Sequence, residues 1–133
     1  MICNPYREIA KRLFGRRIHQ PVPDVTKEDI VRVIRRDFPE QFDAVVTVLN
    51  QYGIEKRERG QVRVHVAALK LANGSPEKLK RAIETAKRDY RDVIAAAEYP
   101  EYRRTWGVIE LSRKEAERIV NADWAQYEEW LRK

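Results

Sequence analysis

Residues 69 to 79 read Leu69-Lys-Leu-Ala-Asn-Gly-Ser-Pro-Glu-Lys-Leu79, and this stretch predicts the junction between two helices. Asn73 and Gly74 tolerate the left-handed backbone that commonly ends a helix. Ser75 suits the N-cap of the next helix, and Pro76 suits its first position, where no backbone N–H is needed. One helix therefore ends and another begins within four residues, which favours a helical fold.

The helix that starts at Pro76 continues to about residue 99. Its apolar residues recur every three or four positions, which places them on one face. They are Leu79, Ile83, Ala86, Tyr90, Val93, Ile94 and Ala97. Because Pro100 cannot continue the helix, we predict one helix over residues 76–99.

The segment upstream of Asn73 allows two interpretations. Val62, Val64 and Val66 alternate with polar residues, as in a half-buried strand. The same segment also has a helical apolar face that continues to Ala72. We favour a helix over 57–73, because a single strand in this chain would have no evident partner.

The remaining segments also have helical periodicity. Thr26 and Asp29 suggest a capping box, and Pro39 suggests the first residue of a further helix. The full set of predicted helices is one from about Asn4 to Phe14, then 26–38, 39–52, 57–73, 76–99 and 113–131, with residues 101–111 irregular or briefly extended.

Together these helices predict an all-α fold, a compact antiparallel bundle of five or six helices in a single domain, 1–133. Residues 1–25 form a basic N-terminal helix and a proline-containing connector, and residues 26–104 form the helical core. Residues 105–133 form a loop and an aromatic C-terminal helix. We expect the first and last helices to pack on the outside of the core.

Composition limits the class of protein. The chain has 133 residues, of which 43% are hydrophobic and 36% are charged, as in a globular domain rich in charge. It has one cysteine, Cys3, so an intrachain disulfide is excluded. No apolar run approaches the roughly 18 residues that span a bilayer. We therefore expect a cytoplasmic protein without a membrane span.

The positive charge is concentrated near the N-terminus. The first 36 residues contain nine Lys or Arg and four Asp or Glu, a balance of +5, whereas the whole chain carries +6. Such a patch could contact nucleic-acid phosphates, a membrane surface through residues 5–14, or only solvent. The candidate nucleic-acid contacts are Lys11, Arg12, Arg16, Arg17, Arg35 and Arg36.

Aromatic residues cluster in the last 35 residues, and tryptophan and tyrosine are enriched at the energetic centres of interfaces. Trp124 and Tyr127 lie on the inner face of the last predicted helix, so they belong to the core. The candidate partner surface consists of Tyr99, Tyr102, Trp106 and Trp130. Burial in the core is the alternative for this cluster.

We find no pattern typical of a catalytic or metal site. Asp89 and Asp92 could act as an acid–base pair, but neighbouring arginines favour ion pairing. His19 and His65 lie far apart in sequence, and neither lies near Cys3. We therefore expect no enzymatic activity, no metal and no cofactor.

Part of the chain resembles a family of small, uncharacterised bacterial proteins that are entirely helical. The resemblance covers about residues 26–104 and is carried by Val66-Ala-Ala-Leu-Lys-Leu-Ala-Asn-Gly-Ser-Pro-Glu-Lys-Leu79, Ala86-Lys-Arg-Asp-Tyr-Arg-Asp-Val93 and Ala97-Glu-Tyr-Pro100. It implies a helical fold and a bacterial source, and it carries no activity or site residue with it.

The sequence thus favours a non-enzymatic domain that docks another protein or a second copy of itself. The alternative is a nucleic-acid-associated protein that uses the basic N-terminal quarter. The two differ in the surface they need, which is aromatic in the first and cationic in the second.

Overall fold

The computed structural model describes residues 18–133, and within this range all regular structure is helical. The predicted all-α class is confirmed. The helix predicted near the N-terminus lies outside the described residues. The seven helices are α1 Lys27–Asp37, α2 Phe42–Leu49, α3 Gln61–Ala72, α4 Pro76–Arg88, α5 Tyr90–Glu98, α6 Pro100–Thr105 and α7 Arg113–Arg132.

Helix α3 is the centre of the fold. It packs against α1, α4 and α5, and its residues from Val64 to Leu69 are all buried. A helix that is apolar on nearly all sides requires neighbours around it. The segment that could have been a strand is therefore helical, and it forms the core that the other helices cover.

The predicted helix junction has the expected chemistry. Asn73 and Gly74 adopt φ values of +47° and +81°. The Ser75 hydroxyl accepts a hydrogen bond from the Lys78 N–H at 3.3 Å, with Pro76 in the first turn. Gly74 also passes close to α1, since a Cβ there would lie 3.4 Å from the Asp37 carbonyl oxygen.

The predicted helix 76–99 is wrong as a single element. Asp89 has an extended backbone, with φ −155° and ψ 102°, and divides it into α4 and α5. The Asp89 side chain accepts a hydrogen bond from the Arg91 N–H, so it caps α5 instead of continuing α4. Aspartate competes with helical hydrogen bonding in this way, and the apolar stripe does not reveal it.

Other boundaries also differ from prediction, and α3 begins at Gln61 instead of residue 57. Pro39 lies in a turn, and α2 begins three residues later at Phe42. Part of the segment predicted as irregular, 101–111, belongs to the short helix α6. The sequence predicts five helices within residues 18–133, and the division at Asp89 and the short helix α6 raise this number to seven, so a bundle of five or six helices is roughly consistent with the structure.

Helix α7 completes the core instead of lying outside it. Tyr127 and Leu131 are fully buried within the same apolar cluster as α3 and α4. Two arginines of α1 hold the end of α7: Arg36 Nη1 donates to the Trp130 carbonyl at 2.8 Å, and Arg32 donates to the Lys133 carbonyl at 3.5 Å. The first and last described helices are therefore joined.

Candidate functional site

The segment after α6 exposes three large apolar side chains within four residues. Trp106 is 47% exposed, Val108 is 79% exposed and Ile109 is 54% exposed. Single exposed apolar residues are ordinary, whereas a contiguous group marks an interaction site. With the half-exposed Tyr102, these residues form what we call the Trp106 surface.

Local hydrogen bonds shape this surface. The Thr105 hydroxyl donates to the Tyr102 carbonyl at 2.6 Å, and Gly107 then turns the chain with a φ of +69°. The Tyr102 and Trp106 rings meet edge to face, with centroids 6.0 Å apart and an interplanar angle of 87°. The indole is therefore held by a preferred aromatic geometry while one side stays accessible.

A buried carboxylate anchors α6 below this surface. Asp123 of α7 is 2% exposed and accepts hydrogen bonds from the N–H groups of Tyr102, at 2.9 Å, and Glu101, at 3.4 Å. Burial raises the Asp123 pKa, although both hydrogen bonds act to lower it. The first turn of α6 is thus fixed by a group that lies more than twenty residues away in the sequence.

A shallow groove of about 360 Å³ lies beside the Trp106 surface, between α6 and the first half of α7. Its apolar lining comes from Ile109, Ile119 and Ala122, and its rim carries both signs of charge. The rim contributes Glu101, Arg104 and Arg118. The Trp106 surface therefore continues into a groove with an apolar floor and a mixed-charge edge.

The other predicted aromatic residues lie elsewhere. Tyr99 is 3% exposed, and its hydroxyl donates to the Pro21 carbonyl, so it fixes the N-terminal connector instead of facing solvent. Burial raises the Tyr99 pKa to about 12. Trp130 is half-buried against Tyr127, and the Arg36 guanidinium covers its ring at 5.1 Å from the centroid. Of the four predicted residues, the structure joins only Tyr102 and Trp106 on one surface.

The candidate nucleic-acid contacts also differ in their surroundings. Arg36 is engaged within the fold, because it pairs with Asp37 at 2.9 Å and donates to the end of α7. Arg35 is exposed and lies over the Phe42 ring at 5.9 Å. Lys11, Arg12, Arg16 and Arg17 lie outside the described residues.

Of the acidic and histidine candidates, Asp89 and His65 have structural contacts, whereas Asp92 and His19 are exposed. Asp89 pairs with Arg91 at 2.9 Å. His65 is 5% exposed, and its Nε2–H donates to the Tyr52 carbonyl at 3.1 Å. Burial lowers the His65 pKa, which favours the neutral ring. Within residues 18–133 no three His, Cys, Asp or Glu side chains are arranged to hold a metal ion.

Two ion pairs, each between a buried carboxylate and a partly exposed cation, were not predicted from the sequence. Arg63 of α3 binds Glu98 of α5 through two hydrogen bonds, at 2.6 and 2.8 Å, and Glu98 is 1% exposed. Glu58 accepts from the Gly53 N–H at 2.9 Å and from Lys87 at 3.1 Å, so it ties the loop before α3 to α4. For Glu98 the sequence signal is an acidic residue at an otherwise apolar helix position, whereas Glu58 lies in a loop and has no such signal.

Within the described residues, no helix combines the length and the apolar character needed to cross a bilayer. Comparison with protein-family models, with curated proteins and with solved structures found no match to this chain. The resemblance of residues 26–104 to small bacterial helical proteins therefore stays a prediction.

Proposed function

We propose that this protein is a non-enzymatic interaction domain that self-associates through the Trp106 surface. The observation that carries the proposal is the contiguous exposure of Trp106, Val108 and Ile109. Val108 and Ile109 contribute little to the fold of one copy, because more than half of each residue stays exposed, and Trp106 is also 47% exposed. Their burial between two copies would add the apolar contact that the isolated chain lacks.

The ordered contacts of Tyr102 and Trp106 support this role. Tyr102 is fixed at its backbone by Asp123 and contacts the Trp106 ring with its own ring. A surface that is already ordered loses less conformational entropy when it binds. The Trp106 surface is therefore suited to docking without a preceding rearrangement.

The charge pattern favours a second copy as the partner. Residues 100–122 contain five Lys or Arg and four Glu, interspersed around the apolar residues. In a two-fold symmetric interface the same patch meets itself, so a rim of a single sign would repel its copy. Within one chain Arg104 already pairs with Glu101 at 3.1 Å. A rim of both signs can place Arg118 of one copy opposite Glu101 of the other.

The non-enzymatic part of the proposal is supported by the partners of the reactive side chains. His65 is buried against a carbonyl, Asp89 pairs with an arginine, and Ser75 and Ser112 accept hydrogen bonds at helix N-termini. A cytoplasmic location and a bacterial source are parts of the same proposal. The presence of only one cysteine supports the first, and the sequence resemblance supports the second.

The test is sedimentation velocity over a range of protein concentrations, with the wild type and two variants. We expect a concentration-dependent dimer for the wild type and a shift to monomer for Trp106→Ala and Val108→Ser. The matched control is Ile54→Ser, because Ile54 is 76% exposed in a different loop. This control should dimerise like the wild type.

A wild type that stays monomeric up to hundreds of micromolar contradicts self-association. Equal weakening by Val108→Ser and Ile54→Ser contradicts the assignment of the interface to the Trp106 surface. Circular dichroism of each variant checks that the helical fold is retained, so loss of dimer cannot be attributed to unfolding.

The alternative proposal, association with nucleic acid, is supported by the charge balance of +5 in the first 36 residues. Since Arg36 is engaged with α7, this role would depend on Arg35 and on Lys11, Arg12, Arg16 and Arg17. Replacing these five residues by alanine should abolish salt-dependent retention on heparin, whereas Arg36→Ala should mainly lower stability. Unchanged retention of the five-residue variant contradicts the alternative.

A further inference from the structure

A second groove, of about 330 Å³, lies on a different part of the molecule, where α4, α5 and α6 meet. Its apolar floor is formed by Leu71, Ala82, Val93 and Ala96. None of the residues of the Trp106 surface lines it. Any ligand of this groove is therefore independent of the proposed self-association.

Three cationic side chains line this groove: Lys78 and Arg81 from α4, and Arg103 from α6. Within residues 18–133 none of the three lies within 4.0 Å of a carboxylate oxygen. Arg103 comes from a separate helix, so the positive charge is contributed by two helices instead of one helix face. The groove thus combines cations available to a ligand with an apolar base.

One acidic residue, Asp92, also lines the groove. With three cations it leaves a net charge of +2, which matches a ligand group that carries two negative charges. Arginine binds such groups through paired N–H donors, whether the acceptor is a phosphate or a pair of carboxylates. The floor between the charges suits an apolar body of the ligand.

From this juxtaposition we infer that the groove between α4, α5 and α6 binds a small dianion carried on an apolar body, held by Lys78, Arg81 and Arg103. Phosphate monoesters and dicarboxylates share this chemistry. Asp92 also lines the groove, and its negative charge weakens the attraction for any anion.

The experiment is a titration of the ¹⁵N-labelled full-length protein, followed by amide chemical shifts. Phenyl phosphate and isophthalate probe the two sources of the dianion, benzoate probes a single charge on the same ring, and inorganic phosphate probes the charge without the ring. We expect phenyl phosphate or isophthalate to move the amides around Ala82, Val93 and Ala96, and benzoate and inorganic phosphate to bind about tenfold more weakly.

Variants assign the binding to the groove. Arg81→Gln and Arg103→Gln should each weaken the binding of the better dianion about tenfold, as expected for loss of a charge-assisted hydrogen bond. Asp92→Asn should strengthen it. The matched control is Lys80→Gln, which removes a positive charge from an exposed position of the same helix that does not line the groove.

Three results would overturn the inference. The first is the absence of shift changes at 10 mM of either dianion with the fold intact. The second is equal weakening by Lys80→Gln and Arg81→Gln, which would show general attraction to a basic protein. The third is equal affinity for benzoate and the dianions, which would show that only the apolar floor takes part.

Discussion

The interface between α3 and α5 buries a charged group, whereas the Trp106 surface exposes apolar groups. At the α3–α5 interface a carboxylate, Glu98, is buried, and Arg63 satisfies both of its oxygens. At the Trp106 surface apolar side chains are left in water. The first region obtains its stability within one chain, whereas the second leaves apolar area exposed, which we propose a second copy covers.

The largest expected effect comes from breaking the pair at the α3–α5 interface. Arg63→Met keeps the aliphatic part of the side chain but removes the guanidinium, so Glu98 stays buried without a cation. We expect a loss of about 3 kcal/mol in the free energy of unfolding, measured by urea denaturation. If the loss is below about 1 kcal/mol, the pair is not a major determinant of the stability of this region.

The double variant Arg63→Met, Glu98→Leu provides the control. Because a buried ion pair costs desolvation energy on both sides, its replacement by apolar residues should recover most of the loss. A double variant as unstable as Arg63→Met would indicate that the arginine acts through packing instead of charge.

The next effect concerns the attachment of α6, which carries the Trp106 surface. Asp123→Ala removes the acceptor for the Tyr102 and Glu101 N–H groups, and we expect a loss of about 1 to 2 kcal/mol. Amide hydrogen exchange should accelerate at Tyr102. Asp123→Asn keeps one acceptor oxygen and removes a charge whose burial is unfavourable, so its loss should be smaller; an equal loss for both variants would contradict the capping role.

A smaller effect is expected from pH, through His65 in the core. Burial lowers the pKa of folded His65 below its ordinary value of 6.5, so the unfolded chain binds the proton more readily. The contribution of His65 to stability is therefore complete above pH 6.5 and is lost as the pH falls below it. One group contributes at most about 1.4 kcal/mol per pH unit.

The pH prediction is tested by urea denaturation at pH 7 and pH 5. His65→Gln, whose amide can still donate to the Tyr52 carbonyl, should reduce the difference between the two pH values. His19→Gln is the control, because His19 is exposed. If both variants show the same pH dependence as the wild type, another group is responsible.

The smallest effect on stability is expected at the Trp106 surface itself. Val108→Ser should change the free energy of unfolding of the monomer by less than about 0.5 kcal/mol, because the side chain is already in water. The measurement is urea denaturation at a concentration that favours monomer. A loss of more than 1 kcal/mol would show that Val108 packs within its own chain, and the contrast between the two regions would then be wrong.

The sequence predicted the parts of the fold that depend on neighbours along the chain. Apolar spacing located the long helices, and Thr26 and Ser75 cap helices as their residue types and positions indicate. The division at Asp89 was missed because the apolar stripe continues through it. An aspartate that caps a helix and an aspartate within a helix leave the same apolar pattern. They differ only in the geometry of their hydrogen bonds.

Contacts between residues that are far apart in the sequence could not be predicted from the sequence alone. Arg63 and Glu98 are separated by 35 positions, and Asp123 caps a helix that precedes it by about twenty. For the same reason Tyr99 could not be assigned to the interior, whereas Trp106, which is also aromatic and close in sequence, is exposed as predicted. Exposure depends on which helices pack together, and that is a property of the whole fold.

The contacts between α1 and α7 determine when the core can form during synthesis. Arg36 reaches the Trp130 carbonyl across 94 positions, and Tyr127 and Leu131 complete the core. A ribosome adds about 5 to 20 residues per second, so α1 to α5 emerge several seconds before the helix that covers them. During that interval the apolar faces that α7 covers stay exposed, and the core can reach its final packing only after α7 has left the exit tunnel.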